Sequence, residues 1–385
     1  VFGARPPNVA DDKQATTADS WSFWLLYIGP VLLQDKFRSS IYHRHFCDFS
    51  VIVENCLQFE IDRTDIQELR KACEKWVLDY EKLYYQYEPE RVSACPLTIH
   101  GLLHVPDALV EIGPVWTHWA FPTERYCGRL QPAIKSRRHP FVAIDNYIVL
   151  QAQLSQIKLI YGVESELSLK VPRSVLPANH FSVEQCTSIL YSSAPHRPSS
   201  SVPKTIIEKI LICFATRFDT TKAVVRRHLD IDTIVQWAKV RRLNGGDEMA
   251  ASALVPFAED RRDTTFIRYD MLVDLNTRRR RVQPVYQKQS FYGQLQHILV
   301  VTLPAAEELG LNSQTTFVLA AIHRCQVQGT SHNGAAYYEQ MGALEVVDMS
   351  AVQCLIGRIE AVNDMRKFVI DRTGTLQSSY YVTGE

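Results

Sequence analysis

One segment of the chain places its apolar residues three and four positions apart, and this spacing constrains the fold more than any other feature. Its apolar positions are Ile66, Leu69, Cys73, Trp76, Tyr80, Leu83 and Tyr87. Because an α-helix turns once in about 3.6 residues, residues at this spacing share one face. We therefore predict an amphipathic helix, with Thr64 as its N-cap, Gln67 bonding back to the cap, and an end at Glu88 and Pro89.

Helical patterns continue through the first half of the chain, and we predict a helical region over residues 19–165. Its further predicted helices cover residues 21–33, 96–111, 122–134 and 143–160. Pro106 lies inside the second of these, and we expect it to distort that helix, since proline cannot donate a backbone hydrogen bond. Residues 1–18 are polar, and we expect them to form a disordered lead.

The second half of the chain has a different pattern. Residues 166–203 are predicted to be irregular and to end in a Pro/Ser-rich linker at 196–203. Residues 204–284 are predicted as a basic helical segment, with helices at 205–218 and 221–242 and a turn at 244–247. Short alternating runs from 285 to 385 predict a small β-rich domain. The expected fold class is α+β, with a mainly helical N-terminal half followed by this domain.

Composition narrows the class of protein. Lys+Arg and Asp+Glu are equal at 42 each, so no overall charge imbalance points to nucleic acid or membrane. Nine cysteines without a CxxC pair indicate reduced thiols in an intracellular protein, nuclear or cytoplasmic. The chain begins at Val1 without a secretory signal, and we expect it to be a piece of a longer protein. The longest apolar stretch, 21–33, is too short to span a bilayer, so no membrane partner is expected.

Two histidines four residues apart are the first candidate functional residues. His100 and His104 lie in the predicted helix at 96–111, where residues four positions apart share a face. Two imidazoles in this arrangement can bind one metal ion. A structural zinc site takes four ligands, and the chain offers no thiol pair for the other two. Histidines that are simply packed or solvent-facing are the alternative interpretation.

A carboxylate followed by a basic stripe is the second candidate. Glu124 begins the predicted helix at 122–134, where the helix dipole favours a negative charge. Basic residues follow it without another acidic residue before Pro140, and these are Arg125, Arg129, Lys135, Arg137 and Arg138. Such a surface suits a phosphodiester substrate. The alternatives are a cap or ion pair for Glu124 and a solvated face for the basic residues.

The hydrolase and nucleotide-binding motifs GxSxG, GxxxxGK[ST] and GxGxxG do not occur in the sequence, so it gives a hydrolase little support. The order of several longer segments is more informative. WVLDYEKLYYQY (76–87), CPLTIHGLLH (95–104), GPVW (113–116) and AFPTERYCGRLQ (120–131) resemble the C-terminal region of CACTA-type (En/Spm-like) DNA transposases of mushroom-forming fungi. SFYGQLQH (290–297) and VVDMSAVQCLIG (346–357) resemble the β-rich tail of the same proteins.

This resemblance implies a DDE nuclease, in which three carboxylates on a ribonuclease-H-like fold hold two Mg²⁺ ions. It implies that Glu124 is the third carboxylate, and that His100 and His104 complete a zinc site with an upstream CxxC. The implied partner is DNA at transposon ends, and self-association of the chain is a further expectation. The family's two aspartates and its CxxC have no counterpart here, so we expect the chain not to cleave DNA alone.

A non-catalytic DNA- or protein-binding module is the alternative function. Residues 201–290 carry 17 Lys+Arg against 11 Asp+Glu, a net charge of +6. Four consecutive arginines lie within this stretch, namely Arg278, Arg279, Arg280 and Arg281. A basic run of this kind is a candidate nucleic-acid contact, and a solvated loop is its alternative interpretation.

Overall fold

The computed structural model describes residues 17–135, 138–164, 166–167, 180–182, 190–197, 202–242, 247–256, 263–276, 283–331, 334–361 and 365–371. For Asp19, Arg242 and residues 180–182 and 190–197 it gives the backbone alone. The chain divides into two compact units. Unit 1 is Val1–Pro172 with Thr373–Glu385, and unit 2 is Arg173–Arg372. The expected mixture of helix and strand is confirmed, with helices in the first half and a curled antiparallel sheet in the second.

The described part of unit 1 is helical. Its helices are α1 Ala18–Phe23, α2 Gly29–Leu32, α3 Ser40–Cys56, α4 Arg63–Tyr80, α5 Leu97–Gly101, α6 Val105–Ile112, α7 Phe121–Leu130 and α8 Pro140–Tyr161. Two π-helical turns, Trp24–Ile28 and Glu81–Tyr85, follow α1 and α4. The first of them leads into Pro30, whose ring would clash with the carbonyl four residues earlier in a regular α-helix. The helix predicted at 21–33 therefore forms in three pieces.

The apolar stripe of α4 forms the core of unit 1, as its spacing predicts. Its buried members pack with Ile52 of α3 and Leu109 of α6, and they are Ile66, Leu69, Cys73, Trp76 and Val77. The predicted cap is wrong, because the helix begins at Arg63 and Asp62 is its N-cap, with no side-chain cap bond. The predicted end is also too late, because Gln86 adopts the left-handed conformation, with φ 59°, and ends the helical run.

Unit 2 is built on one antiparallel sheet. Two helices accompany it, α9 Lys204–Arg217 and α10 Lys222–His228. The strands are β1 His180–Ser182, β2 Leu190–Arg197, β3 Val235–Arg242, β4 Glu248–Ala250, β5 Phe266–Asp274, β6 Tyr286–Leu303, β7 Thr315–Thr330, β8 Ala336–Asp348, β9 Val352–Leu355, β10 Gly357–Glu360 and β11 Lys367–Ile370. Their order is β1-β2-β3-β6-β7-β8-β11-β10, with β4 beside β3 and β5 between β6 and β9.

Helices α9 and α10 cover one face of this sheet. Phe214 of α9 is fully buried and lies 5.3 Å from the ring of Phe317 on β7. The same core includes Ile210 from α9, Val225 from α10 and Leu299 from β6. The strands predicted within 285–385 are confirmed. β7 is buried on both faces, because Phe317 lies in the core with α9 and the next residue, Val318, lies in a second core on the other face.

One predicted helix of the second half is wrong. The helix expected at 221–242 ends at His228, and β3 occupies Val235–Arg242. The predicted basic helical segment at 204–284 is therefore helical only in its first third and continues as β3, β4 and β5. Trp237 and Val240 of this strand are bulky or β-branched and are buried, and so is Ile234 directly before it. Burial against β6 decides the conformation here, over the helical preference of the intervening polar residues.

The sheet curls until its far strand returns to an earlier one. β9 pairs with β5, and β10 pairs with β11, so the bent segment 352–360 connects two strands that are distant in the sheet order. The bend falls at Ile356, whose N–H bonds to the carbonyl of Phe266. A small core lies inside the curl, and its buried residues are Phe266, Cys325, Tyr338, Ile356 and Val369.

Helix α8 is the longest of the described helices, with 22 residues, and none of its side chains is buried. None of the described helices is both long enough and apolar enough to cross a membrane. Several predicted features lie outside the described residues. They are residues 1–16 of the predicted lead, 198–201 of the linker, 243–246 at the predicted turn, Arg137, and Arg278 to Arg281.

Candidate metal and nucleic-acid site

The two candidate metal ligands lie on a helix that Pro106 interrupts. A single helix over 96–111 is wrong, because α5 ends at Gly101, a 3₁₀ turn covers Leu102–His104, and α6 begins at Val105. In a regular helix Pro106 would clash with the carbonyl of Leu102, so that carbonyl accepts instead from Val105 N–H in a tighter i+3 bond. The expected distortion by Pro106 is confirmed.

His100 and His104 nevertheless meet across this turn. Their Nε2 atoms are 3.1 Å apart, and their ring centroids are 4.9 Å apart at an angle of 76°. Both histidines are exposed, while Leu102 and Leu103 between them pack against the unit 1 core. At 3.1 Å one ring donates an N–H to the other when no ion is bound.

An ion pair anchors the start of the next helix to α4. Arg70 Nη2 lies 2.6 Å from Asp107 Oδ1 on α6. The hydrogen bond from Arg70 holds the pKa of Asp107 below its usual range, and the nearby His104 acts in the same direction. The histidine pair therefore lies beside a carboxylate that already has a cationic partner. Within the described residues, no group of three or more His, Cys, Asp or Glu side chains is arranged to hold a metal ion.

Glu124 lies in the first turn of α7 and points to solvent. Pro122 occupies an early position of this helix, where its missing N–H costs nothing, and Glu124 N–H bonds to the carbonyl of Ala120. The Glu124 carboxylate makes no hydrogen bond or ion pair with any residue the structure describes, and it does not cap its helix. Neither structural alternative for Glu124, a cap or an ion pair, is therefore present in the described part of the chain.

The basic stripe on and after α7 is exposed. Arg125 and Arg129 are one helical turn apart on α7, and Lys135 and Arg138 follow the helix. None of these four has an ion-pair partner among the described residues. By contrast, Arg217 and Arg226 in unit 2 are paired with Asp348 and Glu208. These four cations on and after α7 are thus available to a bound anion.

A second charged cluster, which the sequence does not reveal, lies inside the curl of unit 2. Arg268 Nε is 3.2 Å from Asp270 Oδ1, and its Nη1 is 3.4 Å from Asp371 Oδ2. Asp270 also accepts from Ser290, and Asp371 accepts from Tyr292 Oη at 3.1 Å. Each carboxylate already has a cation and a hydroxyl donor, so this cluster links β5 to the end of β11 and leaves no group free for a ligand.

Comparisons with protein families, with curated proteins and with solved structures give no match.

Proposed function

We propose that the chain is the C-terminal portion of a transposon-encoded DDE transposase, which cleaves and joins DNA strands in the complete protein. Glu124 is its third catalytic carboxylate, and His100 and His104 are half of a zinc site whose other half precedes this chain. The helices of unit 1 would then end a split ribonuclease-H-like domain. On this proposal the protein acts on transposon ends in the nucleus, and the chain alone is inactive.

The observation that carries the proposal is the geometry of the histidine pair. Both rings are exposed, and their Nε2 atoms are 3.1 Å apart. Two nitrogens that bind one tetrahedral zinc ion at about 2.05 Å are about 3.3 Å from each other. The pair therefore needs only a small adjustment to bind an ion through two lone pairs. It supplies two of the four ligands that a structural zinc site takes.

Glu124 supports the same proposal. Two Mg²⁺ ions held by three carboxylates would activate a water or a 3′-hydroxyl and stabilise the leaving oxygen at phosphorus. A carboxylate that caps a helix or pairs with a lysine would have to break that bond before it could bind Mg²⁺. Glu124 makes no such bond with the described residues. The unpaired cations that follow it, such as Arg125 and Arg129, suit the charge of a DNA backbone.

Transposition by the complete protein tests the role of Glu124. Glu124→Gln keeps the shape of the side chain and removes the charge that binds Mg²⁺, so we expect strand cleavage to be lost while DNA binding is retained. Glu111→Gln is the matched control, because Glu111 is also an exposed carboxylate without an ion pair in the described structure. Cleavage at wild-type rate by Glu124→Gln would sink the assignment.

Zinc content tests the histidine pair separately. In the complete protein we expect one zinc ion that is lost in the His100→Ala, His104→Ala double variant and retained in His118→Ala, which changes an exposed histidine outside the pair. The reading frame upstream of Val1 is the first check, because the proposal requires a CxxC and two well-separated aspartates there. A folded complete protein without zinc would rule out the metal role of these histidines.

A non-catalytic DNA-binding module is the second candidate, and the unpaired cations on and after α7 favour it. We expect the 385-residue chain to bind double-stranded DNA with an affinity that falls as salt rises. Arg125→Ala with Arg129→Ala should reduce the salt slope by about two, since each phosphate contact contributes about 0.9. Replacing Arg278 to Arg281 tests the second basic region. Lys71→Ala with Lys75→Ala is the control, because both lysines already have acidic partners.

A further inference from the structure

Two aromatic side chains of α7 are open to solvent. Phe121 is 42% exposed and Tyr126 is 51% exposed, and no residue of this helix is buried. Trp119 contacts Phe121 with ring centroids 5.1 Å apart at 73°, and an edge contact of this kind covers at most one face of a ring. Tyr126 makes no ring contact and no side-chain hydrogen bond with any residue that the structure describes. Each ring therefore offers a face to a ligand.

Two cations lie between these rings around the helix. At about 100° per residue, Arg125 and Arg129 fall within the arc of about 140° from Phe121 to Tyr126, and Glu124 falls outside it. Arg125 is four residues from Phe121, and Arg129 is three residues from Tyr126. Side chains at these spacings are neighbours on a helix surface. Neither arginine has an ion-pair partner in the described part of the chain, so one side of α7 combines flat rings with available positive charge.

This combination fits a single strand of DNA. In a duplex each base is stacked between its neighbours, so only an unpaired base can place its face on a protein ring. Arginines beside the rings can bind the phosphates that link such bases. A rise of about 7.5 Å along the axis separates Phe121 from Tyr126, so the two rings serve different bases. We infer that this side of α7 binds single-stranded DNA, with bases stacked on Phe121 and Tyr126 and phosphates bound by Arg125 and Arg129.

The positive charge continues past the helix, which favours a nucleic acid over an acidic protein. Lys135 and Arg138 follow α7, and no acidic residue lies between Glu124 and Pro140. A track of one sign suits the regular negative charge of a nucleic-acid backbone. The inference rests on the proposed binding of DNA by the cations on and after α7, and it adds the form of DNA that the site takes.

Affinities for single-stranded and duplex DNA test the inference. We expect the 385-residue chain to bind an oligothymidine of about 20 nucleotides more tightly than a duplex of the same length, as measured by fluorescence anisotropy. Phe121→Ala and Tyr126→Ala should each raise the dissociation constant for the single strand about tenfold and leave that for the duplex unchanged, because stacking requires unpaired bases.

Salt dependence separates stacking from charge. The two aromatic substitutions should leave the salt slope unchanged, since a neutral ring releases no counterions. Arg125→Ala with Arg129→Ala should lower the slope for the single strand by about 1.4, at about 0.7 for each phosphate contact. Tyr126→Phe keeps the ring and should keep the affinity. Tyr87→Ala is the matched control, because Tyr87 is also exposed but its hydroxyl bonds to Glu81.

Three outcomes would overturn the stacking site in variants whose circular dichroism shows an intact helical fold. Equal affinity for the two DNAs would do so, and so would unchanged single-strand affinity in both Phe121→Ala and Tyr126→Ala. In either case salt-dependent duplex binding would still support the DNA-binding module. Equal affinity for polyglutamate of the same charge would show a general anion surface. No binding to either DNA would rule out the stacking site and the second candidate function together.

Discussion

His45 and Trp76 exchange hydrogen bonds between two helices. Trp76 donates its Nε1–H to the His45 carbonyl at 2.9 Å, and His45 Nε2 donates to the Trp76 carbonyl at 3.1 Å. Their rings stack with centroids 4.5 Å apart, and both residues are buried. Because each ring satisfies its polar N–H on the other residue's backbone, two amphipathic side chains fit an otherwise apolar contact between α3 and α4.

Trp76→Phe should destabilise unit 1. The substitution removes the donor to the His45 carbonyl and leaves a cavity beside Phe49, so we expect the free energy of unfolding to fall by about 2–4 kcal/mol. Trp21→Phe, at an indole that is 41% exposed, should change it by less than about 0.5 kcal/mol. Urea unfolding followed by circular dichroism measures both. Equal effects of the two substitutions would show that the buried hydrogen bonds between His45 and Trp76 contribute little to stability.

Low pH should reduce the free energy of unfolding, because it protonates two buried histidines. Burial lowers the pKa of His45, and this outweighs the hydrogen bond to Trp76 and the carboxylates of Asp48 and Asp79, which raise it. Burial also lowers the pKa of His297 in unit 2. A histidine with a lowered pKa binds a proton more readily in the unfolded chain. The neutral buried histidine therefore contributes fully to the free energy of unfolding at pH values above the pKa of a histidine in the unfolded chain, about 6.5. This contribution is lost as the pH falls below that value.

We expect the free energy of unfolding to decrease between pH 7.5 and pH 5 and to decrease less in His45→Gln and His297→Gln. Glutamine keeps a donor and does not titrate. His118→Gln, which replaces an exposed histidine, is the control for the substitution itself. If the His45 and His297 variants follow the wild-type curve in parallel, other groups cause the acid sensitivity.

Removing the Arg268 cation from the curl of unit 2 should reduce the free energy of unfolding. Arg268→Met leaves Asp270, whose side chain is 4% exposed, without its buried guanidinium. Among the described residues Lys288 and Ser290 then remain to stabilise its charge. We expect a loss of about 3 kcal/mol in the free energy of unfolding. Arg227→Met breaks an exposed pair with Glu308 and should cost less than about 1 kcal/mol. Guanidinium unfolding distinguishes the two values, and a similar cost for both would contradict a structural role for the cluster.

Thiol reactivity should separate the cysteines by burial. Burial raises the pKa of Cys47 and of Cys73 to about 11, so neither forms much thiolate at pH 8. Cys95 and Cys127 are exposed. In a Cys186→Ser background we expect these two to react rapidly with a disulfide reagent under native conditions, and the buried thiols to react only after urea is added. Rapid native labelling of Cys73, located by peptide mapping, would show that the unit 1 core opens.

Local spacing predicts the parts of the fold that depend on one side of one element. The stripe of α4 is visible in the sequence because its buried residues recur at fixed intervals. The pattern of residues 235–242 does not predict a strand, because their conformation depends on burial against β6, which lies far along the chain. The apolar run at 352–359 predicts a strand. Nothing in its pattern shows that the residues before Ile356 pair with β5 and those after it pair with β11.

The candidate site was predicted to a similar extent. Spacing alone indicated that His100 and His104 share a face, and they meet even though Pro106 splits their helix. The sequence could not show that Glu124 lacks a partner among the described residues, since an ion pair depends on which helices become neighbours. The apolar residues of α8 are visible in the sequence, but the exposure of that helix is a property of the fold.

The dual pairing of residues 352–360 also determines when the sheet can be completed during synthesis. Strands β5 to β8 leave the ribosome before β9 to β11 and can pair in order as they emerge. The outer edge of β5 gains its neighbour only when β9 follows, and β8 gains β11 later still. Until then these open edges can pair with those of other nascent chains. Translation pauses before residue 370 would lengthen that interval, so the last strands of unit 2 protect the chain from aggregation.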